Sequence, residues 1–276
     1  MILLYMILSP SACQGDTEFA VCRLMKHALA RILQVCVLAG MVLLSSGCVY
    51  WRLNQFRNQL SAFPDYYRIE ERELPTIVAM KPVLQPDDLG WLSGLPASET
   101  VQRDGNTLER YHFVKQYAGP DEDEEGAYDI VLLAHFNEDG RLHEYQAPAR
   151  FAPLLTEENF EEVFRPMKDG HVERLQQATG WVWEEHKVNI PVREAVRDFL
   201  GAPYEVEERG EGLTYTYVYQ LQGNDERWNP TGWDMYARFV FEPEEERVVH
   251  TESYMGRLQV IVDLRARENL VEIKRL

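Results

Sequence analysis

Two segments of the chain, 106 residues apart, repeat one order of helix and strand signals, and that repetition limits the architectures open to it. The first runs "LQPDDLGWLSGLPASETVQRDGNTLERYHFVKQY" from Leu84, followed by "YDIVLLAHFNEDGRLHEYQAP". The second runs "IPVREAVRDFLGAPYEVEERGEGLTYTYVYQLQ" from Ile190, followed by "DMYARFVFEPEEERVVHTES". Val192, Ala195, Val196, Phe199 and Leu200 recur at helical spacing, and Gly201 with Pro203 predicts a helix stop. Leu89 and Leu92 hold the matching face in the first segment, with Gly94 and Pro96 as its stop. Leu213, Tyr215, Tyr217 and Tyr219 alternate with smaller residues, as a strand with one aromatic face does; Tyr111 and Phe113 are their counterparts.

Turn chemistry then pairs the later strands. Asn137 to Gly140 reads as one hairpin turn and the stretch with Pro243 as another, while Leu258 to Val262 faces Leu270 to Ile273 across "RAREN". Thr156 reads as an N-cap, with Glu157 and Glu158 in the first turn and Phe160, Val163 and Phe164 as an apolar stripe. The expected fold class is α+β, two tandem helix-then-antiparallel-sheet units (ααβββ-like). Residues 76–150 form the first, and residues 151–276 a linker helix and the second, with a C-terminal hairpin.

The N-terminus reads differently. Ile32 to Trp51 carries no charge, Lys26 and Arg31 stand upstream, and the apolar centre Ile32 to Leu44 is 13 residues long. That is the length of an export-signal core and short of the ~20 residues that span a bilayer. Beginning at Met25 gives a signal of ordinary length, so Met25 is the expected translation start. Ser45, Ser46 and Gly47 supply the small side chains of a cleavage site, and Cys48 follows. Leu44-Ser45-Ser46-Gly47-Cys48 resembles the lipobox of bacterial lipoproteins. The resemblance implies removal of residues 1–47, acylation of Cys48 and, because Val49 rather than Asp follows, an outer-membrane destination facing the periplasm. The competing reading is an uncleaved membrane anchor over Ile32 to Trp51.

Cysteine usage agrees with acylation. The four cysteines are Cys13, Cys22, Cys36 and Cys48, and the 228 residues after Cys48 contain none. A disulfide-stapled domain is excluded, and an unpaired thiol suits an oxidising compartment when acyl chains occupy it. Residues 48–75 are the expected lipidated terminus and tether, with Arg52, Arg57, Tyr50, Trp51 and Phe56 at the membrane surface.

Charge narrows the partners. Residues 1–47 hold Arg23, Lys26, Arg31, Asp16 and Glu18, which leaves 25 of the 28 basic and 43 of the 45 acidic residues in the remainder, net −18. Phosphate recognition rests on clustered Lys and Arg, so no nucleic-acid partner is expected. The same acidity repels anionic headgroups and leaves acyl chains on Cys48 as the membrane contact.

The order Leu200, Gly201, Pro203, then Tyr217 and Tyr219, then Phe241, with Gly94, Pro96, Tyr111, Phe113, Phe136, Gly140 and Leu142 in the first segment, resembles the SmpA/OmlA family of small outer-membrane lipoproteins. A tandem of such units is also similar in plan to the β-lactamase inhibitor proteins. These resemblances imply a fold and a protein-binding habit rather than a reaction.

Candidate chemistry is sparse. Asp121, Asp123, Glu125 and Gly126 match the opening of a Ca²⁺ loop, but Leu132 stands where the bidentate Glu belongs. No histidine pair has i, i+4 zinc spacing, although His112, His135 and His143 fall on neighbouring expected strands. There is no G-x-S-x-G elbow, and Gly210-Glu211-Gly212 lacks a third glycine. No catalytic residue, metal site or cofactor is therefore assigned. Tyr215, Tyr217, Tyr219, Trp228 and Trp233 are candidate partner-binding residues, either packed under helices or exposed for recognition; Trp181 and Trp183 read as core-facing. The expected function is a lipid-anchored, periplasm-facing binding or scaffold module for an envelope protein. A membrane-anchored hydrolase or carbohydrate-binding enzyme is the alternative.

Overall fold

The computed structural model describes residues 49–119, 126–164, 171–173, 177–182, 191–209, 212–224, 231–243, 246–263 and 269–275. The chain divides into two compact units, Met1–Trp51 and Arg52–Leu276; of the first, only the helical residues 49–51 are described. Every described strand lies in the second.

Strand dominates this unit, and the strands, numbered in chain order, belong to a single antiparallel sheet of 14. From one edge its order is β1 (Tyr67–Glu70), β2 (Thr76–Ala79), β6 (Leu142–Gln146), β5 (Ile130–Phe136), β4 (Asn106–Lys115), β10 (Gly212–Leu221), β11 (Met235–Phe241) and β12 (Val248–Met255). Then follow β13 (Leu258–Asp263), β14 (Asn269–Arg275), β8 (Gln177–Val182) and β7 (His171–Glu173). β3 (Glu99–Arg103) adds to β4, and β9 (Glu205–Arg209) to β10.

The expected α+β pair of tandem units is thereby corrected. The two repeated segments are spliced edge to edge, with Phe113, Val114 and Lys115 of β4 opposite Leu221, Gln220 and Tyr219 of β10. Two further backbone bonds, Gln116 N–H to the Val218 carbonyl at 3.0 Å and Gln222 N–H to the His112 carbonyl at 2.8 Å, extend the splice. One apolar core serves both segments, because Tyr111, Phe113, Ile130 and Phe136 pack in the same cluster as Val196, Tyr215, Tyr217, Tyr219 and Phe241. Residues 76–150 and 151–276 are therefore not separate bodies. A strand buried this way must satisfy its backbone along both edges. β10 does so with β11 on one side, and β9 followed by β4 on the other.

The helices are short. Residues 52–60 are helical (α1), followed by α2 (Phe63–Tyr66), α3 (Pro86–Ser93), α4 (Glu157–Phe164) and α5 (Arg193–Leu200). Pro86 opens α3 where no backbone donor is needed, the Asp88 carboxylate accepts the Gln85 N–H at 2.9 Å, and Gly94 ends the helix at φ 72°, a left-handed conformation that favours glycine. α5 buries Val196 and Leu200 one turn apart. α4 begins as read, with Thr156 Oγ1 accepting the Asn159 N–H at 3.2 Å.

The segment expected as a tether is folded. Leu53, Phe56, Leu60 and Phe63 fall at i, i+3, i+7 and i+10, which puts one apolar stripe along α1 and into α2. Arg52 holds the start of the unit through two 2.7 Å hydrogen bonds to Asp88, whose carboxylate is completely buried. Phe63 then stacks between Tyr67 (5.2 Å) and Phe160 of α4 (4.9 Å). Arg52 and Phe56 are both half-buried here, Arg52 against Asp88 and Phe56 edge-on to Tyr67 at 6.5 Å.

Candidate functional site

Among the described residues, those singled out from sequence do not converge on one surface. Ser45, Ser46, Gly47, Cys48, Trp183 and Trp228 lie outside the described residues, as does Asp121 to Glu125. Trp181 sits in β8, opposite Leu270 of β14. Trp233 is half-buried, its ring edge-on to Tyr204 at 5.7 Å. Tyr215, Tyr217 and Tyr219 share a face of β10 as their alternation requires, but that face is core: their exposures are 6%, 0% and 1%. The packed reading of these tyrosines is the one the structure displays, and they offer no contact area to a partner.

Around them, the splice of β4 and β10 concentrates polar groups. Lys115, opposite Tyr219, places its ammonium over the rings of Tyr117 (4.7 Å), Tyr128 (4.8 Å) and Tyr217 (5.9 Å). Arg150 donates to the carbonyls of Phe199 (2.7 Å), Tyr128 (3.0 Å) and Asp129 (2.8 Å) and lies against the Phe151 ring. Burial lowers the Arg150 pKa and raises that of the Tyr219 hydroxyl, the latter against a small opposing pull from Arg150. The Asp129 carboxylate takes His112 Nε2 at 2.7 Å and the Lys115 backbone N–H at 3.0 Å, while His112 Nδ1 meets Gln222 Oε1 at 2.9 Å. Both imidazole nitrogens of His112 are thus engaged within the splice. The arrangement fixes the splice, with Arg150 tying the helix end at Phe199 to the strand start at Asp129.

The other buried carboxylates are likewise committed. Asp88 serves Arg52 and the start of α3. Asp234 accepts the Leu221 N–H at 2.8 Å, Asn224 Nδ2 at 2.6 Å and the Gln220 side chain, closing the loop between β10 and β11. Of the histidines grouped on sequence, His143 Nδ1 meets the His135 carbonyl at 3.1 Å, whereas His112 belongs to the splice. Among the described residues no group of three His, Cys, Asp or Glu side chains is placed to hold a metal ion.

Concave space lies in the N-terminal layer. A cleft of about 610 Å³ runs beside β1 between Ile69, Arg72, Glu73 and Glu157. A smaller pocket of about 220 Å³ opens between α1, α2, β2, α3 and β6. Its walls are Phe56, Leu60, Phe63, Leu84, Leu89 and Leu142, with Tyr67 of β1, Phe160 of α4 and Met255 of β12 among the further side chains that close it. Its few polar groups have partners: Tyr67 donates to Gln59 Oε1 at 3.0 Å, Glu144 is paired with Arg72 at 3.2 Å, and His143 Nδ1 meets the His135 carbonyl at 3.1 Å. None of these residues was singled out from sequence as a site. The signal was present in the spacing of Leu53, Phe56, Leu60 and Phe63, which a tether has no reason to keep.

No helix among the described residues is long and apolar enough to cross a membrane, which leaves β-barrel insertion unaddressed. Neither a family model, nor a curated protein, nor a solved structure matches the chain.

Proposed function

We infer that the chain is a lipid-anchored outer-membrane protein facing the periplasm, its globular unit serving as a binding or scaffold module for an envelope protein. The observation that carries this is the order of residues 25–48: basic, then apolar, then small, then the last cysteine of the chain. The fold that follows is compatible with such a role, since the only thiol left after cleavage before Cys48 would be the acylated one. Four peptide links separate Cys48 from Arg52, and an extended chain spans at most about 3.6 Å per residue. Cys48 and Arg52 are therefore within about 14 Å of each other, so acylation would hold the binding unit against the bilayer rather than on a long leash.

Metabolic labelling of the full chain with an alkyne-tagged palmitate tests the anchor. Label on the wild type and none on Cys48→Ser is expected, together with loss of residues 1–47 from the wild type alone. An unlabelled wild type that keeps those residues refutes the anchor. Cross-linking in intact envelopes tests the module: recovery of no envelope protein with the labelled wild type removes the scaffold role.

A further inference from the structure

We propose that the pocket of about 220 Å³ is a binding site for the end of a single alkyl chain, whose polar head stays in solvent. The inference does not depend on the anchor described above. An ordered water needs two to four polar partners, and the few polar groups of this wall already have others: the Tyr67 hydroxyl donates to Gln59, Glu144 pairs with Arg72, and His143 Nδ1 meets the His135 carbonyl. A peptide segment fails for the same reason, because its backbone N–H and C=O groups would enter a wall without partners for them. Left empty, the lining of Phe56, Leu60, Phe63, Leu84 and Leu142 forgoes its dispersion contacts.

A hydrocarbon meets all three conditions. A dry, apolar cavity of roughly 150 Å³ accepts benzene, so about 220 Å³ corresponds to roughly nine carbon atoms at the same packing. The pocket is open to solvent, so a chain can enter it with its head left outside. Two sources share this chemistry: a free fatty acid or lysolipid, and an acyl chain on Cys48 of the protein itself.

The probe is decanoic acid carrying a diazirine at its far end, cross-linked by light to the full chain, with labelled peptides identified by mass spectrometry. In Cys48→Ser, labelling is expected within 56–63, 84–92 or 142–145, displaced by untagged decanoate. Ala79→Phe, which projects a ring from β2 into the void, should lower that labelling at least 10-fold with an equal or higher Tm. If Ala79→Phe lowers Tm, Leu142→Phe on the adjacent strand β6 is read by the same criterion. Labelling of Cys48→Ser but not of the wild type identifies the protein's own acyl chain as occupant, whereas equal labelling of both identifies a free chain. Absence of displaceable label at these segments in Cys48→Ser, or unchanged label in a stably folded filled variant, overturns the proposal.

Discussion

The core beneath the β4–β10 splice and the layer built by residues 52–93 are both rich in aromatic rings, yet one is filled and the other is not. In the first, two rings on β10 find neighbours across the strand pair: Tyr215 meets Phe241 edge-on at 5.1 Å, and Tyr217 meets Phe239 at 6.0 Å. In the second, Phe63 is sandwiched by Tyr67 and Phe160, but the space beyond, toward Leu84 and Leu89, stays open. Strand pairing sets ring spacing through the register of the sheet. Where short helices lie over a sheet edge, no such register operates, and a void persists that proteins otherwise close. The contrast separates a region that holds the fold from one with room for a ligand.

The largest expected effect comes from truncating the filled side. Phe241→Ala should cost about 3–5 kcal/mol in urea unfolding, since a fully buried ring leaves a cavity among partners that cannot collapse. Leu89→Ala, bordering space already open, should cost about 1–2 kcal/mol, less than a core leucine. Equal costs would erase the distinction between the regions. Next comes the pair that fastens the open layer: Arg52→Ala strands the buried Asp88 carboxylate and should cost about 3 kcal/mol. The Arg52→Ala, Asp88→Ala double variant should be less destabilised than the two single losses summed, as a double-mutant cycle will show.

A third effect acts where the two regions meet. Gly256, in the turn between β12 and β13, donates its N–H to the Asp234 carbonyl at 2.7 Å, and Arg257 donates to the Ser93 carbonyl at 2.6 Å. A Cβ at Gly256 would lie 2.0 Å from that Ser93 oxygen, and its φ of 56° already disfavours other residues. Gly256→Ala should therefore cost about 2–3 kcal/mol, measured as a shift in the unfolding midpoint at unchanged slope.

These positions also show which parts of the molecule its sequence discloses. The stop at Gly94, the hairpin at Asn137 to Gly140 and the closing pair of β13 with β14 are local, written in turn residues and short alternations. The splice is not local: Lys115 and Tyr219 meet across more than a hundred residues, and neither strand's periodicity names its neighbour. Alternation places Tyr215, Tyr217 and Tyr219 on one face but is silent on what covers it. The repeat therefore suggested two α+β units where a single sheet runs through both segments. At residues 52–63 the stripe is legible, but aromatic residues that follow an apolar, uncharged run invite a membrane role, and that expectation hides it.

The smallest effects compare single hydroxyls across the two regions. Tyr219, in the filled core, is buried with no hydrogen-bond partner for its hydroxyl among the described residues, whereas the Tyr67 hydroxyl at the pocket wall donates to Gln59. At pH 7, Tyr219→Phe should be neutral or slightly stabilising, and Tyr67→Phe should cost about 1 kcal/mol. Alkaline pH adds a second readout. Burial raises the pKa of both hydroxyls, so the folded state keeps protons that an unfolded tyrosine gives up near pH 10. Their contribution is intact below that pH and is lost as pH rises beyond it. Either Phe variant should consequently lose less stability than the wild type between pH 9 and pH 11 in thermal melts. A Tyr219→Phe protein that melts lower at pH 7 yet declines just as steeply above pH 10 would show that the hydroxyl finds a partner and water inside the core, which would then not be the filled region.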